Sequence, residues 1–500
     1  MDLLPNAAVD SLIDLDGVKD ICVIGAGAGG LAALKIISET PQYKSGRWRP
    51  TAFEMREKVG GVWRVPSHSD IVEFPASPTG DFPLTPLYDS LTTNLPHPVM
   101  AFHSFPFPPS TPLYPPASTV ETYLQAYAAH YKLGQHIRFN TAVLSADWDG
   151  QHSKWTVRIT GDEVLTFDLL IVANGHYHVP RFPDTPGLAA WLAQGKASHS
   201  AWYRRPHDIG NTVLVVGGGY SGIDISAEMR TAAQTVLHSV TGGEPEDLDG
   251  GAFKRRGRIA EFGDPSQGRV VFEDGTVDEE VDHCILATGY EFSFPFLSPP
   301  LLEGAVPPAI PPLPPTLYNS SYNLFPLARH VFPLVSTIPP SRLVFLGLPI
   351  RVVPFPLMEV QARAVIKAFA QPESLDPLQE AVAIVARYET LRARVGDSEA
   401  AIAEAWHRFQ DQEQFEYRDE LHAWIGGEYA GPEWKVPTWT RELYGRKDVL
   451  RSEWKELERL GEAEEWVRGV GEHGESEWVD LLYRLLRRVD KKGQAEFGKL

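Results

Sequence analysis

Short apolar runs bounded by glycine or acidic residues punctuate the chain. Ile21 to Ile24 has the pattern of a strand buried on both faces, and Leu169 to Ala173, Thr212 to Val216, Cys284 to Ala287 and Leu343 to Leu348 read as further strands. The Cys284 run is expected to return to the first sheet. Two runs turn at once through glycines into helix formers: Leu31 to Leu34 after the first, and IDISAEM after Val216. Thr51 to Phe53 and Thr235 to Val240 supply the next strands. Ile137 to Phe139, Ala142 to Ala146 and Trp155 to Ile159 predict a meander, and Val270 to Phe272 opens a hairpin.

Proline excludes continuous helix from 66–118, and the many aromatics there predict an ordered wrapping loop. A helix is expected over 119–132, capped by Ser118 or Thr119, with Tyr123, Leu124 and Tyr127 on one face. Residues 295–315 are again proline-rich and are expected to cross back to the first domain. Pro354 to Ala370 is helical. From about 371 the composition turns to charged helix, opening on the capping pattern Asp376-Pro377-x-Gln379. Trp478, Leu481, Leu482, Leu485 and Val489 form a stripe that reads as a core-packing face.

The glycine turns carry the candidate chemistry. In the first, Gly25 permits a tight turn, Gly27 lets a pyrophosphate approach the backbone, and Gly30 lets the helix lie close to the strand. The helix N-terminus offers N–H groups and partial positive charge to phosphates. Glu54, ending the next strand, is placed to hold a ribose hydroxyl. Gly60-Gly61-Val62-Trp63 then suggests a backbone laid against a flat ring. The second turn, Gly217-Gly218-Gly219-Tyr220-Ser221-Gly222, repeats the spacing. Two such motifs imply two nucleotide sites and electron transfer between two cofactors. The strand after the second turn carries His238, Ser239 and Thr241 near its end, with neither the acid that takes a 2′-hydroxyl nor an arginine for a 2′-phosphate. Lys254, Arg255 and Arg256 read as a solvated basic turn.

Five hundred residues predict two or three domains. The formal net charge of −19 disfavours nucleic acid and anionic lipid as partners. Cys22 and Cys284 each lie within a strand pattern and are read as core residues, so no disulfide or redox pair is expected, and no Cys/His cluster has metal-ligand spacing. No run of 18 apolar residues exists, and the acidic N-terminal stretch lacks the features of a signal peptide, so a cytoplasmic protein is expected.

Taken in order, GAGAGG with Glu54, GGVW, TNLP, ANGHY, the segment from Gly195 to Tyr203, GGGYSG, ATGY and PFPLMEVQAR make the chain similar to flavin-containing monooxygenases, closest to the soluble fungal type. The resemblance runs from about 20 to 370. Gly195, His199 and Tyr203 match the monooxygenase fingerprint, Ala193 replaces its aromatic, and Tyr203-Arg204 resembles the branch that oxygenates nitrogen and sulfur.

The resemblance implies an α/β fold with two Rossmann-like domains: a discontinuous FAD domain over 1–209 and 326–420, an NAD(P)H domain over 210–325, and a helical extension over 421–500. It implies FAD contacts at Gly25, Ala26, Gly27, Ala28, Gly29, Gly30, Glu54, Val62, Trp63, Thr93, Asn94, Val143 and Gln361. It places NADPH, with NADH left open, at Gly217, Gly219, Ser221, Gly222, Ile223 and Asp224, with His199 and Tyr203. Asn94 would hydrogen-bond the flavin or its peroxide, and His199 would link domains.

The implied reaction is hydride transfer to FAD, capture of O2 as a C4a-hydroperoxide, and oxygen transfer to a small-molecule amine, thiol or sulfide, and the resemblance implies a role in fungal secondary metabolism. No metal is needed. A Baeyer–Villiger enzyme acting on a ketone, a redox-sensing flavoprotein without turnover, and a homodimer stay open.

Overall fold

The computed structural model describes residues 17–65, 85–297, 299–429 and 435–497. The N-terminal stretch 1–16 and part of the proline-rich stretch, 66–84, lie outside them. Five parallel strands in the order Leu343–Phe345, Leu169–Val172, Lys19–Ile24, Trp48–Phe53 and Ile137–Arg138 build one sheet. The apolar runs are its centre: Ile21, Cys22 and Val23 are wholly buried, as are Leu170 and Ile171. Helices Ala28–Glu39 and Pro354–Ala370 pack on each other beside it. An antiparallel meander follows, over Val143–Asp149, Lys154–Ile159 and Val164–Phe167. Ile137–Arg138, expected in that meander, instead closes the parallel sheet, because Ala52 pairs with Ile137.

The second sheet has the order Glu246–Leu248, Phe253–Arg256, Thr235–Ser239, Thr212–Val216, His283–Leu286 and Ala197–His199, parallel except for its first strand. Two expectations are corrected here. The Cys284 strand does not return to the first sheet; Leu214 pairs with Cys284 in the second. Lys254 to Arg256 are strand residues, not a solvated turn, with Arg256 buried.

The chain divides into one compact unit over 1–61, 92–175 and 292–500 and another over 62–91 and 176–291. The second unit therefore begins before 210 and ends before 325. Ala197–His199 is hydrogen-bonded into its sheet, whereas Leu302, Leu317 and Leu324 pack in the core of the first unit. The expected boundary at 420 also dissolves: helix Glu413–Ile425 runs through it, burying Phe415, Tyr417 and Leu421.

The expected helix at 119–132 is Ala117–His130. Ser118 and Thr119 lie inside its first turn, and Pro116 occupies the cap position without a side-chain cap. Asp376 does cap helix Pro377–Val395, accepting from the Leu378 and Gln379 amides. Helices Thr438–Gly445, Lys447–Leu460, Ala463–Val467 and Glu475–Phe497 follow. Trp478, Leu481, Leu482 and Leu485 of the last one are buried, while Val489 is half-buried. Among the described residues no helix is long and apolar enough to cross a membrane, and no His/Cys/Asp/Glu cluster could hold a metal. Both cysteines are free and buried.

Candidate functional site: two glycine turns

The first turn is held by its backbone. The Gly25 amide donates to Phe53 O at 2.9 Å, and the Ala173 amide donates to Ile24 O at 2.9 Å. Gly25 adopts φ +98°, and a Cβ there would stand 2.6 Å from the Ala173 carbonyl oxygen. A Cβ on Gly30 would lie 1.9 Å from Gly25 O, so the helix approaches the turn only because residue 30 has no side chain. Gly27 has a packing role that spacing did not reveal. It faces Gly61, and a Cβ on Gly61 would stand 2.9 Å from Gly27 Cα. Gly61 thus lies against the turn; Gly61–Trp63 is a short 3-10 helix, with Val62 and Trp63 half-buried. Ala26, Ala28 and Gly29 are buried in the turn and first helical residues.

Glu54 is 6% exposed. Its Oε2 accepts from the Ala26 amide at 2.8 Å and its Oε1 from the Arg56 amide at 3.1 Å. A carboxylate with two backbone donors is a rigid acceptor that keeps further lone pairs for a hydroxyl. Arg56, which the sequence did not single out, donates through Nη1 to Gly61 O at 2.7 Å and so ties the Glu54 loop to the GGVW segment.

Asn94 sits in a strapped segment. The Thr93 amide donates to Pro115 O, the His97 amide to Leu113 O, and Thr93 Oγ1 to Leu95 O at 2.7 Å. Thr93 is buried and its hydroxyl proton is committed to that internal bond. Asn94 itself is half-buried, and its side chain makes no hydrogen bond among the described residues. Its amide is held in place with donors and acceptor open. Val143 begins the meander, half-buried against the first core.

Gln361 departs from its expected role. It is fully enclosed; its Oε1 accepts from the Gly347 amide at 2.9 Å and its Nε2 donates to Tyr417 Oη at 3.0 Å. Both ends of the amide stiffen the protein, and no surface is left for a cofactor.

The second turn repeats the two backbone bonds that hold the first. The Gly217 amide donates to Ser239 O at 2.9 Å, and the Ala287 amide to Val216 O at 2.8 Å. Gly217 has φ +127°, and its Cβ would meet Ala287 O at 2.3 Å. A Cβ on Gly222 would lie 2.0 Å from Gly217 O. Gly219 faces open space, Ser221 is half-buried in the first helical turn, and Ile223 is exposed. Asp224 turns to the protein, accepting from Tyr88 Oη at 3.1 Å. One helical turn on, Glu228 accepts from Tyr203 Oη at 2.8 Å, and the two tyrosine rings meet edge to face. Tyr203 is 1% exposed, so it packs the fingerprint segment on the helix and does not face a ligand. Tyr88 was missed because it lies in the proline-rich stretch, where no periodicity marks it.

His199 is also wholly buried, accepting from the Ala201 amide through Nδ1 and packed edge-on to Phe182 and Tyr290. Burial lowers its pKa to about 4, partly opposed by the backbone of Gly289. It is neutral at pH 7, and its Nε2 is buried without a hydrogen-bond partner among the described residues.

Both turns fit a dinucleotide: each leaves a side-chain-free cradle before a helix N-terminus. The sequence pattern of the flavin-binding monooxygenase-like family matches residues 18–246 and 244–429. The chain belongs to that family. This monooxygenase is 31% identical to the thiol-specific monooxygenase of Saccharomyces cerevisiae, over 71% of this chain and 77% of the relative. It is 29% identical to flavin-containing monooxygenase FMO GS-OX5 of Arabidopsis thaliana, over 89% of this chain and 94% of the relative. The structure of S-allyl-L-cysteine S-oxygenase from Allium sativum is similar with a TM-score of 0.71 at 25% identity, covering 95% of this chain and 99% of the other. The protein is accordingly a flavin-dependent monooxygenase, an oxidoreductase.

Proposed function

We propose that this monooxygenase holds FAD at the first glycine turn and a nicotinamide dinucleotide at the second, and transfers one oxygen atom of O2 to a soft nucleophile. Sulfur, as thiol or sulfide, is the leading substrate class and amine nitrogen the second. The unit carrying Gly25 is then the FAD domain, and the unit carrying Gly217 the NAD(P)H domain. The observation that carries this reading is the duplication of the turn, matched in the two amide bonds and in both glycine contacts. The names of two relatives, a thiol-specific monooxygenase and an S-allyl-L-cysteine S-oxygenase, support sulfur.

Bound FAD would accept the hydride, activate O2 and carry the oxygen to be transferred. The chain supplies position and dryness. Glu54 would take a ribose hydroxyl while fixing the turn, and the helix N-terminus at Ala28 would face the pyrophosphate. Asn94 would offer its unpaired amide to the flavin edge or to the oxygen it carries. Apolar walls would keep water from the reacting atoms.

The test uses purified protein with NADPH or NADH and a panel of thiols, sulfides, tertiary amines and ketones. Stoichiometric dinucleotide oxidation with a product heavier by one oxygen on sulfur or nitrogen is expected. An ester formed from a ketone would transfer the enzyme to Baeyer–Villiger chemistry. Failure of both dinucleotides to reduce the flavin would overturn the two-site reading.

A further inference from the structure

The hydrogen bonds let the two turns be overlaid residue by residue. Gly25 donates to Phe53 and Gly217 donates to Ser239, so Phe53 corresponds to Ser239, Glu54 to Val240, and Ala26 to Gly218. In the first copy the Glu54 carboxylate covers the turn and accepts from the Ala26 amide. In the second copy that place is filled by hydrocarbon: a Cβ built on Gly218 would stand 2.7 Å from Val240 Cγ1. Gly218 and Val240 are a matched pair, the missing side chain making room for the isopropyl group. The acceptor that would take a ribose 2′-hydroxyl is therefore gone.

A clamp for a 2′-phosphate has not replaced it. From 241 to 253 the chain has no lysine or arginine, and it carries Glu244, Glu246, Asp247 and Asp249. The basic residues of the adjacent strand are engaged. Lys254 Nζ lies 2.7 Å from Asp278, Arg256 is 2.6 Å from Asp278 and 2.7 Å from Asp247, and Arg255 is 2.8 Å from Glu246. Recruiting Arg256 to a phosphate would break its ion pairs with Asp247 and with buried Asp278, leaving Asp278 only Lys254.

We propose that the second site does not discriminate at the adenosine 2′ position, binding NAD(H) and NADP(H) with comparable affinity, and that Val240 is the residue that sets this. The inference rests on the reading of the second turn as a nicotinamide dinucleotide site.

The test is equilibrium binding of NAD+, NADP+, 5′-AMP and 2′,5′-ADP to the purified FAD-loaded protein by calorimetry, a readout independent of turnover. Kd values for NAD+ and NADP+ within about threefold of each other are expected for the natural chain. Val240→Glu restores the first copy's arrangement and should tighten NAD+ about tenfold while weakening NADP+, the size of one charge-assisted hydrogen bond. Val240→Arg should tighten NADP+ and 2′,5′-ADP instead. A natural preference of thirtyfold or more for either nucleotide would overturn the inference, as would Val240→Glu leaving the ratio unchanged with unaltered FAD content. Binding of neither nucleotide at millimolar concentration is a different failure, since it overturns the nucleotide site itself and the inference with it.

Discussion

At the scale of single residues, Asn94 and Glu54 differ in how they are spent. Glu54 already bonds two backbone amides, so its loss would disturb the turn with or without a cofactor. Asn94 bonds nothing among the described residues, while Thr93 and His97 on either side are strapped to 113–115. Asn94 is half-buried, so its amide is accessible to the ligand role proposed above. Asn94→Ala should therefore keep both fold and FAD content and act on coupling. Hydrogen peroxide released per dinucleotide oxidised should rise several-fold, while oxygenated product falls. Unchanged coupling in a substrate-saturated assay would remove the role given to Asn94.

At the scale of elements, the two strand–turn–helix units can be broken one at a time. A methyl group on Gly30 or Gly222 would lie 1.9 or 2.0 Å from a backbone oxygen, far inside contact distance, so either helix must move. Gly30→Ala should yield protein depleted in FAD. Gly222→Ala should stay yellow yet lose at least tenfold in nicotinamide dinucleotide affinity. Identical losses in both variants would show that the turns do not serve separate ligands. These units were legible in the sequence because each is local: strand, glycines and helix lie within some twenty residues. Sheet membership was not. Whether Ile137–Arg138 joins a meander, or Cys284 the first sheet, depends on partners far away in the chain, and short apolar runs look alike in either place. Gln361 misled for a related reason, since only its enclosed partners, Gly347 and Tyr417, reveal a structural amide. The C-terminal stripe was legible as a packing face, but not its target. Trp478 meets His97 edge-on with ring centroids 4.3 Å apart, three residues beyond Asn94, and the loop before its helix bonds Ser110 at Gly469 and Val470. Trp478→Ala should cost about 3–5 kcal/mol of stability, and Trp478→Phe much less, as read by denaturant unfolding of the first unit's transition.

At the scale of the whole molecule, acidification pulls stability in two directions. The chain carries a formal charge of −19 with a pI near 5.3, so lowering the pH from 7 relieves self-repulsion and favours the compact state. Buried histidines oppose this. His97, His199 and His283 are enclosed, and burial lowers their pKa values to about 3, 4 and 4. In the unfolded chain each titrates near 6.5. Between pH 6.5 and 4 the unfolded state therefore binds more protons than the folded one, so their stabilising contribution is complete above pH 6.5 and drains away as the pH falls toward 4. By pH 5.5 each such group costs about 1 kcal/mol. Salt separates the two effects, because 1 M NaCl shortens the screening length to about 3 Å and suppresses surface repulsion while leaving the enclosed rings unscreened. In high salt Tm should hold level from pH 7.5 to 6.5 and then decline steadily to pH 4.5. At low salt the decline should be shallower, because relieved repulsion offsets part of it. Replacing His283 with Gln, which can still meet Ser198 Oγ, now 2.8 Å from the ring, removes one titrating group and should flatten the high-salt profile only in part, because burial also lowers His176, His330 and His422. A level high-salt profile down to pH 5 would mean that these rings take up protons without unfolding, which their burial does not allow.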